Sequence, residues 1–463
     1  MNVKINNKIR KMNIIENHIF STENGYYLFA VSSMQAFEID KDTFECISLL
    51  NSGEDFISTD YNEILEELVA NEILIEKDEK KDNFGNVEEF VDFPIKSLAL
   101  HLIHDCNLRC TYCYGEGGSY GGERKPMTDE VAYNAIDFLL SHSDDSPCVS
   151  ITLFGGEPLL NMPLIKKIVC YCRKREKETG KEISLGMTTN ATLLDKETRE
   201  YLNENNITVG ISIDGPKDIH DSCRVNVNGV GSYDQMIRNT EELLKDRDGR
   251  VTARITLTRN CMQMDQIMQF IEKMGFRKVN IAFVSGEDDS TITIKKSDYE
   301  VIAKEYDKIA SRMLSSLQKN EPFYNNLFYS QLRQLHDKTP MLYNCGAGRK
   351  YLAVDPEGNL FICHRFVGKE DYKVGTVFTE INKEKVREVA YAHVEHKEEC
   401  KKCWARYLCA GGCFYNSYEK GGNLLAAPDT YCDLYKKQYE VAIELYNKIK
   451  GISPEFIEDF FAG

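Results

Sequence analysis

Ser97-Leu98-Ala99-Leu100-His101-Leu102-Ile103 is a short apolar run that predicts a strand, and two residues later comes Cys106-Asn107-Leu108-Arg109-Cys110-Thr111-Tyr112-Cys113. Cys106, Cys110 and Cys113 form a Cys-x3-Cys-x2-Cys run. Three thiolates this close suit a [4Fe–4S] cluster, which takes four cysteine ligands. Only three are near, so one iron would lack a protein ligand. An open metal position is where a substrate or cofactor can bind. The alternatives are zinc with a distant fourth ligand, or plain thiols. Zinc sites usually pair two Cys-x2-4-Cys or His units, and this triplet does not.

The pattern downstream of that strand sets the fold. Candidate strands fall at 97–103, 149–154, 183–188, 207–213, 251–257 and 279–284, with candidate helices at 128–142, 161–177, 195–204, 233–245 and 264–273. This alternation predicts a parallel α/β fold. Six repeats suit a partial (β/α)6 TIM-like barrel over 95–294, with its chemistry at the C-terminal ends of the strands. The cysteine triplet follows the first strand and so occupies such an end.

Residues 1–82 read as a separate unit. Tyr26–Val31 and Ala36–Ile39 predict strands, Thr43–Leu50 a helix, and Ile64, Leu65, Leu68 and Val69 mark a second helix before the strand Ile73–Ile75. That order suggests a winged-helix module, and the charged run Glu76–Asp82 reads as a linker. Residues 295–339 read as bridging helices, 340–435 as a loop-rich stretch with seven cysteines, and 436–463 as a tail built on the helix Leu434–Ile449.

The chain has 463 residues, enough for about three domains. Its net charge of −16 argues against non-specific binding to nucleic acid or to an anionic membrane. It has no run of eighteen apolar residues and no signal-peptide core near Met1, so the expected compartment is the cytoplasm. Sixteen cysteines is a heavy load there, where clustered thiols point to metal or redox chemistry. Six of them, Cys46, Cys148, Cys170, Cys172, Cys223 and Cys261, are scattered and read as small buried apolar residues. Cys170 and Cys172, two apart on one helix, should face different ways.

Polar residues gather at the other strand ends. Phe154 is followed by Gly155-Gly156-Glu157-Pro158, where glycines admit close backbone approach and the carbonyls and Glu157 could accept from an amine. Thr188-Thr189-Asn190 follows the third strand, and Ser212-Ile213-Asp214-Gly215 with Arg224 follows the fourth. Ser212 and Arg224 could hold a carboxylate, and Asp214 a hydroxyl. Each alone could be a cap or turn. Together they describe a pocket for a zwitterionic amino acid that carries a sugar.

These motifs, with the aromatic Tyr112 before the last cysteine, resemble the radical S-adenosylmethionine (radical SAM) enzymes over residues 95–290. The resemblance implies that the open iron chelates the cofactor's amine and carboxylate. It implies too that the glycine-rich segment meets the amino group and that strand-end residues hold carboxylate and ribose. Farther on, Cys345, Cys363, Cys400, Cys403, Cys409, Cys413 and Cys432 resemble the SPASM extension of that family. That implies two auxiliary [4Fe–4S] clusters and three in all: Cys400, Cys403, Cys409 and Cys432 on the outer one, Cys345, Cys363 and Cys413 on the inner. Two such clusters want eight ligands, and this region supplies seven. Sulfatase-maturing relatives close the inner cluster with a further cysteine where this chain has Tyr351, and carry an acidic residue where it has His364. His364, a water or a substrate thiolate could take the eighth position, and soft sulfur suits iron–sulfur iron.

Cys363-His364-Arg365-Phe366-Val367-Gly368 resembles instead the thioether-forming maturases of Cys-rich ribosomal peptides, the ranthipeptide and sactipeptide group. The resemblance implies that a 5′-deoxyadenosyl radical removes a hydrogen from a peptide carbon and that a substrate cysteine then bonds to it. Its implied partners are a precursor peptide, whose leader adds as a strand to the N-terminal module, and an external electron donor such as a flavodoxin or ferredoxin. Other radical maturases (carbon–carbon crosslinking, decarboxylation, sulfatase-type oxidation), a non-catalytic iron–sulfur electron-transfer protein and a peptide-binding scaffold are the rival readings.

Overall fold

The computed structural model describes residues 12–53, 59–76, 93–247, 250–286, 290–319, 323–427 and 431–452. The expected linker from Glu76 to Asp82 lies, beyond its first residue, outside them. The N-terminal unit holds β1 (Met12–Ile14), β2 (Asn17–Thr22), β3 (Gly25–Ala30), β4 (Gln35–Ile39), the helices Lys41–Ser52 and Asn62–Ala70, and β5 (Leu74–Glu76). β2, β3 and β4 form an antiparallel sheet, and β1 pairs with β5. Asp40 caps the first helix by accepting from the Thr43 N–H at 2.7 Å.

Alternation along β3 explains how this unit sits. Leu28 and Ala30 pack with Cys46, Ile47, Leu65 and Leu68 of its own two helices. Tyr27 and Phe29 face the opposite way and join the core of the main body. His18 stacks on Trp404 at 3.8 Å and bonds Glu440 at 3.0 Å, while Arg406 pairs with Glu16. The unit is therefore docked on the C-terminal third of the chain.

The six barrel strands are all present: β6 (Ser97–His101), β7 (Cys148–Phe154), β8 (Glu182–Thr189), β9 (Thr208–Ser212), β10 (Thr252–Leu257) and β11 (Lys278–Phe283). They are parallel and adjacent in chain order. Between them run the expected helices, Asp129–Ser141, Met162–Thr179, Lys196–Glu204, Tyr233–Arg247 and Met264–Lys273, and one not expected, Lys217–Cys223. On β10, Ala253, Ile255 and Leu257 are buried, whereas Arg254 and Thr256 turn to the other face, that of the cavity.

The sheet does not stop at six strands. β12 (Tyr324–Asn325) extends it beyond β11, and β13 (Tyr351–Val354) joins parallel to β6, Tyr351 opposite Ser97. β14 (Asn359–Phe361) and β15 (Lys373–Thr376) follow antiparallel. The stretch expected to be loop-rich thus begins with a hairpin built onto the barrel sheet. The sheet stays open, with β12 and β15 at its edges. Helices Tyr299–Gln318 and Tyr329–Asp337 pack on the final helix, which runs Cys432–Ile452 and so starts before the expected 436 boundary.

All sixteen cysteines are described and none is in a disulfide. Four of the six scattered ones are buried as expected, but Cys148 and Cys170 are exposed. Cys148 opens β7 at the sheet's outer end, and Cys170 lies on the outward side of its helix, opposite buried Cys172.

Candidate active site

A cavity of about 470 Å³ lies against the cysteine loop and runs down the inner face of the sheet. Cys106, Cys110 and Cys113 border it, as do Tyr112, Gly155, Gly156, Glu157, Thr188, Asn190, Ser212 and Arg224. Pro158 and Asp214 do not. The cysteine loop is pinned from a distance: the Arg109 N–H donates to the Val225 carbonyl at 2.7 Å and the Thr111 N–H to that of Cys223 at 3.0 Å. The Leu108 N–H donates to Cys106 Sγ at 3.4 Å, and Asn190 Nδ2 approaches the same sulfur at 3.9 Å. Burial pushes the Cys106 thiol up to about 12 and the Cys110 thiol to about 11, with neighbouring thiols adding to both. Metal binding here must therefore displace protons.

Gly155-Gly156-Glu157-Pro158 ties strand ends together. Gly155 has φ +127°, and a Cβ at Gly156 would lie 2.1 Å from the Asp105 carbonyl oxygen. The Gly156 and Glu157 N–H groups donate to the Ile103 and Asp105 carbonyls at 3.0 and 2.9 Å. Buried Glu157 accepts from Thr189 Oγ1 at 2.7 Å, the Asn190 N–H at 2.8 Å and the Leu159 N–H at 3.1 Å. Burial raises its pKa to about 7 against the pull of those bonds. Its carboxylate fixes the β8 end, and the Gly155 carbonyl accepts from Tyr120 at 2.9 Å.

Asp214 stands behind the cavity wall rather than in it. Its carboxylate takes Arg224 Nε at 2.9 Å and Nη2 at 3.1 Å, the Thr256 N–H at 3.0 Å, and the Tyr112 hydroxyl. Arg224 also lies 5.3 Å from the Tyr112 ring centre. The expectation that Asp214 meets a ligand hydroxyl differs from this placement: bonds from its own chain fill its oxygens. Arg224 reaches the cavity already paired.

The sequence reading missed Arg254. It projects into the cavity from β10, and among the described residues its guanidinium makes no hydrogen bond or ion pair, although its carbonyl accepts from the Ile213 N–H at 3.0 Å. It lies within Coulombic reach of Tyr114, Tyr351 and Arg224. The same cavity is lined by His364 and Arg365, next to Cys363. His364 Nδ1 bonds the Tyr351 hydroxyl at 2.7 Å and lies 3.7 Å from Cys363 Sγ. Burial lowers its pKa to about 3, with Arg365 and Arg254 adding. Arg365 Nη1 sits 3.9 Å from Cys413 Sγ, and its guanidinium stacks 4.1 Å from the Tyr415 ring centre.

The distal cysteines fall into two groups in space. Cys363 feels the charge of Cys345 and Cys413, and Cys432 that of Cys400, Cys403 and Cys409. Among the described residues no three His, Cys, Asp or Glu side chains close around a single metal ion. Three separate sets of sulfurs, one bordering an open cavity, fit multi-iron clusters.

Residues 100–260 match the Radical SAM superfamily model and residues 345–404 match SPASM, an iron–sulfur cluster-binding domain. The chain carries a radical SAM domain followed by a SPASM domain. The radical SAM domain binds a [4Fe–4S] cluster and S-adenosylmethionine, and the SPASM domain binds additional iron–sulfur clusters. The cysteine-type anaerobic sulfatase-maturating enzyme of Clostridium perfringens is 25% identical over 379 residues, 77% of this chain and 100% of that one. Radical SAM cyclopropyl synthase TigE of Paramaledivibacter caminithermalis is 22% identical over 91% of this chain and 93% of its own. The fold is shared with native anSMEcpe with bound AdoMet (TM-score 0.67, 23% identity, covering 76% of this chain and 98% of that one). It is shared too with Streptococcus suis SuiB bound to precursor peptide SuiA (TM-score 0.54, 16% identity, 91% and 99%). The SuiB match leaves under a tenth of the chain outside, so it extends into the N-terminal unit. No helix among the described residues is long and apolar enough to cross a membrane.

Proposed function

We propose that this radical SAM enzyme matures a ribosomally made precursor peptide by joining a cysteine sulfur to a carbon as a thioether. The observation that carries this reading is the Cys363-His364-Arg365 segment. His364 and Arg365 line the cavity that Cys106, Cys110 and Cys113 border, so a thiol near Cys363 would share that cavity with the carbon to be activated. In this reading Cys106, Cys110 and Cys113 hold the first cluster. Gly155, Gly156, Glu157, Thr188, Asn190, Ser212 and Arg224 line the S-adenosylmethionine site, which Asp214 braces from behind. Cys345, Cys363 and Cys413 hold an inner SPASM cluster with three protein ligands, and Cys400, Cys403, Cys409 and Cys432 an outer one with four.

The bound cofactors supply hydrogen-atom abstraction and accept the surplus electron. The rest falls to the chain. One carbon–sulfur bond forms, one C–H and one S–H bond break, the thiol proton goes to solvent, and one electron leaves with the clusters. Inward-facing Arg254, Asn280 and Phe154 orient the peptide, and a peptide seated against the inner face of β6 to β11 displaces water from the reacting carbon. Residues 1–82 take the leader, and the edges of β2 and β4, unpaired among the described residues, are where a strand can add. Domain limits of 95–294 and 295–339, with a SPASM unit from 340 that runs into the helix Cys432–Ile452, complete the proposal, with an electron donor such as a flavodoxin or ferredoxin as partner.

The test is anaerobic reconstitution with a leader-bearing, Cys-rich peptide encoded beside the gene. We expect a product two hydrogens lighter that no longer alkylates at one cysteine. Cleavage of S-adenosylmethionine with no loss of mass from any such peptide would refute thioether formation. Sulfatase-type oxidation is the second reading, favoured by the full-length match to the Clostridium perfringens enzyme. It would instead convert a substrate cysteine or serine without a crosslink.

A further inference from the structure

Lys397 is a lysine sealed inside the SPASM domain, with 1% of its surface exposed. Its Nζ donates to the Gly411 carbonyl and to Ser417 Oγ, both at 2.9 Å, and lies 5.3 Å from the Phe414 ring centre. Gly411 makes the room: it sits at φ +75°, and a Cβ there would stand 3.0 Å from Lys397 Cδ. The loop that wraps the ammonium is therefore the one joining Cys409 to Cys413.

An ammonium has three donors, and among the described residues the third finds no protein acceptor and no carboxylate pairs with the charge. Burying an ammonium without a counter-charge is expensive. The charges within reach of it are those of thiols, Cys400 and Cys409 from one set and Cys413 and Cys345 from the other, and the Gly411 carbonyl that holds Nζ lies between Cys409 and Cys413 in the chain. One buried lysine is thus within electrostatic reach of both sets of thiols, and both sets are anionic once they hold iron.

We propose that Lys397 is the shared counter-charge of the two SPASM clusters and sets their reduction potentials. The proposal rests on the assignment of the seven distal cysteines to two clusters. Reducing either cluster adds one negative charge to a low-dielectric interior, and a fixed positive charge beside it lowers that cost. Both clusters should feel it, because thiols of both sets lie within electrostatic reach of the same ammonium.

The experiment is a redox titration of the anaerobically reconstituted full-length enzyme, followed by electron paramagnetic resonance. It compares the parent with Lys397→Met, Lys397→Gln and Lys397→Arg. Iron content of the parent checks the two-cluster assignment separately. We expect the Met and Gln variants to keep their iron and to shift both SPASM clusters to lower potential. At fixed potential the ratio of reduced to oxidised cluster should fall at least tenfold, or 59 mV for one electron. Lys397→Arg should stay near the parent, and the cluster at Cys106, Cys110 and Cys113 should not move. Full iron with unshifted potentials in either neutral variant overturns the proposal. So does loss of SPASM iron from all three variants, since that outcome makes Lys397 a structural tie whose charge does not matter.

Discussion

Gly156→Ala tests the joint between the glycine pair and the cysteine loop. The added methyl would stand 2.1 Å from the Asp105 carbonyl oxygen, 2.4 Å from its carbon and 3.0 Å from the Cys106 nitrogen. Ordinary contact starts at 3.4 Å, so the two loops must part by about 1.3 Å. All three atoms are backbone, and no side chain can swing aside. Parting weakens the two bonds that join the loops, at 3.0 and 2.9 Å. Overpacking of this kind costs about 1–3 kcal/mol, and each weakened bond about 1 kcal/mol. The functional loss should exceed the loss of stability, because Cys106 rides on the displaced loop. A displacement of 1 Å at a reacting centre can cost about 100-fold. The assay is anaerobic reconstitution, with iron per chain, electron paramagnetic resonance and the rate of S-adenosylmethionine cleavage as readouts. We expect the first cluster to be lost or cleavage to fall about 100-fold, with SPASM iron retained. Gly122→Ala is the control: its nearest neighbour, the Ser119 carbonyl, would be 3.6 Å away. Cleavage at the parent rate by Gly156→Ala would refute the packing argument.

Asp214→Asn strips the buried Arg224 of its counter-charge, which costs about 3–5 kcal/mol when a buried pair is broken on one side. An unchanged urea midpoint would show that the pair is not a structural tie. Arg254→Met should weaken binding of a carboxylate-bearing ligand roughly 10-fold or more, the worth of a charge-assisted hydrogen bond. Equal affinity for S-adenosylmethionine and equal turnover of peptide would remove Arg254 from the site. His220 is buried against Ser232, and burial, with Arg224 adding, lowers its pKa to about 4. The unfolded chain takes up that proton near pH 6.5 and the folded chain does not. Stability should therefore fall by up to about 3 kcal/mol from pH 6.5 to 4, and His220→Gln should flatten that slope. Hydrogen exchange with a leader peptide should slow at β2 or β4, and protection confined to the helices of residues 1–82 would exclude strand addition.

The six barrel strands were legible because short stretches with apolar residues at every second position or in a run recur between helical segments and end in polar residues. β12 to β15 were not, being two to four residues long and held by pairing to the barrel rather than by any periodicity of their own. The Cys106, Cys110 and Cys113 triplet was legible from its spacing, and the two distal groups came from the resemblance to the SPASM extension. Asp214 was recognised as special but placed wrongly, because a polar residue at a strand end reads the same whether it meets a ligand or braces the arginine that does. Arg254 was missed for a related reason: in Thr252-Ala253-Arg254-Ile255-Thr256-Leu257 it reads as the exposed side of an ordinary strand, and here that side is the cavity. Lys397 sits in His396-Lys397-Glu398-Glu399, a run that looks solvated, and its burial is set by Gly411 and Ser417 far along the chain.

The alternation that hid Arg254 also constrains the chemistry. Along β10 the odd-numbered positions are apolar and buried, so the inner face is free to carry function without cost to the core. The cysteine loop lies toward one end of that face, and the Cys363–Arg365 segment is set into it by the pairing of β13 with β6. Two short segments, far apart in sequence, thus both follow strands of one sheet, β6 before the cysteine loop and β14 before Cys363. A substrate acted on from both must span the face between them. Arg254, within Coulombic reach of both Arg224 and Tyr351, is a charge on that face with no partner of its own for its guanidinium among the described residues.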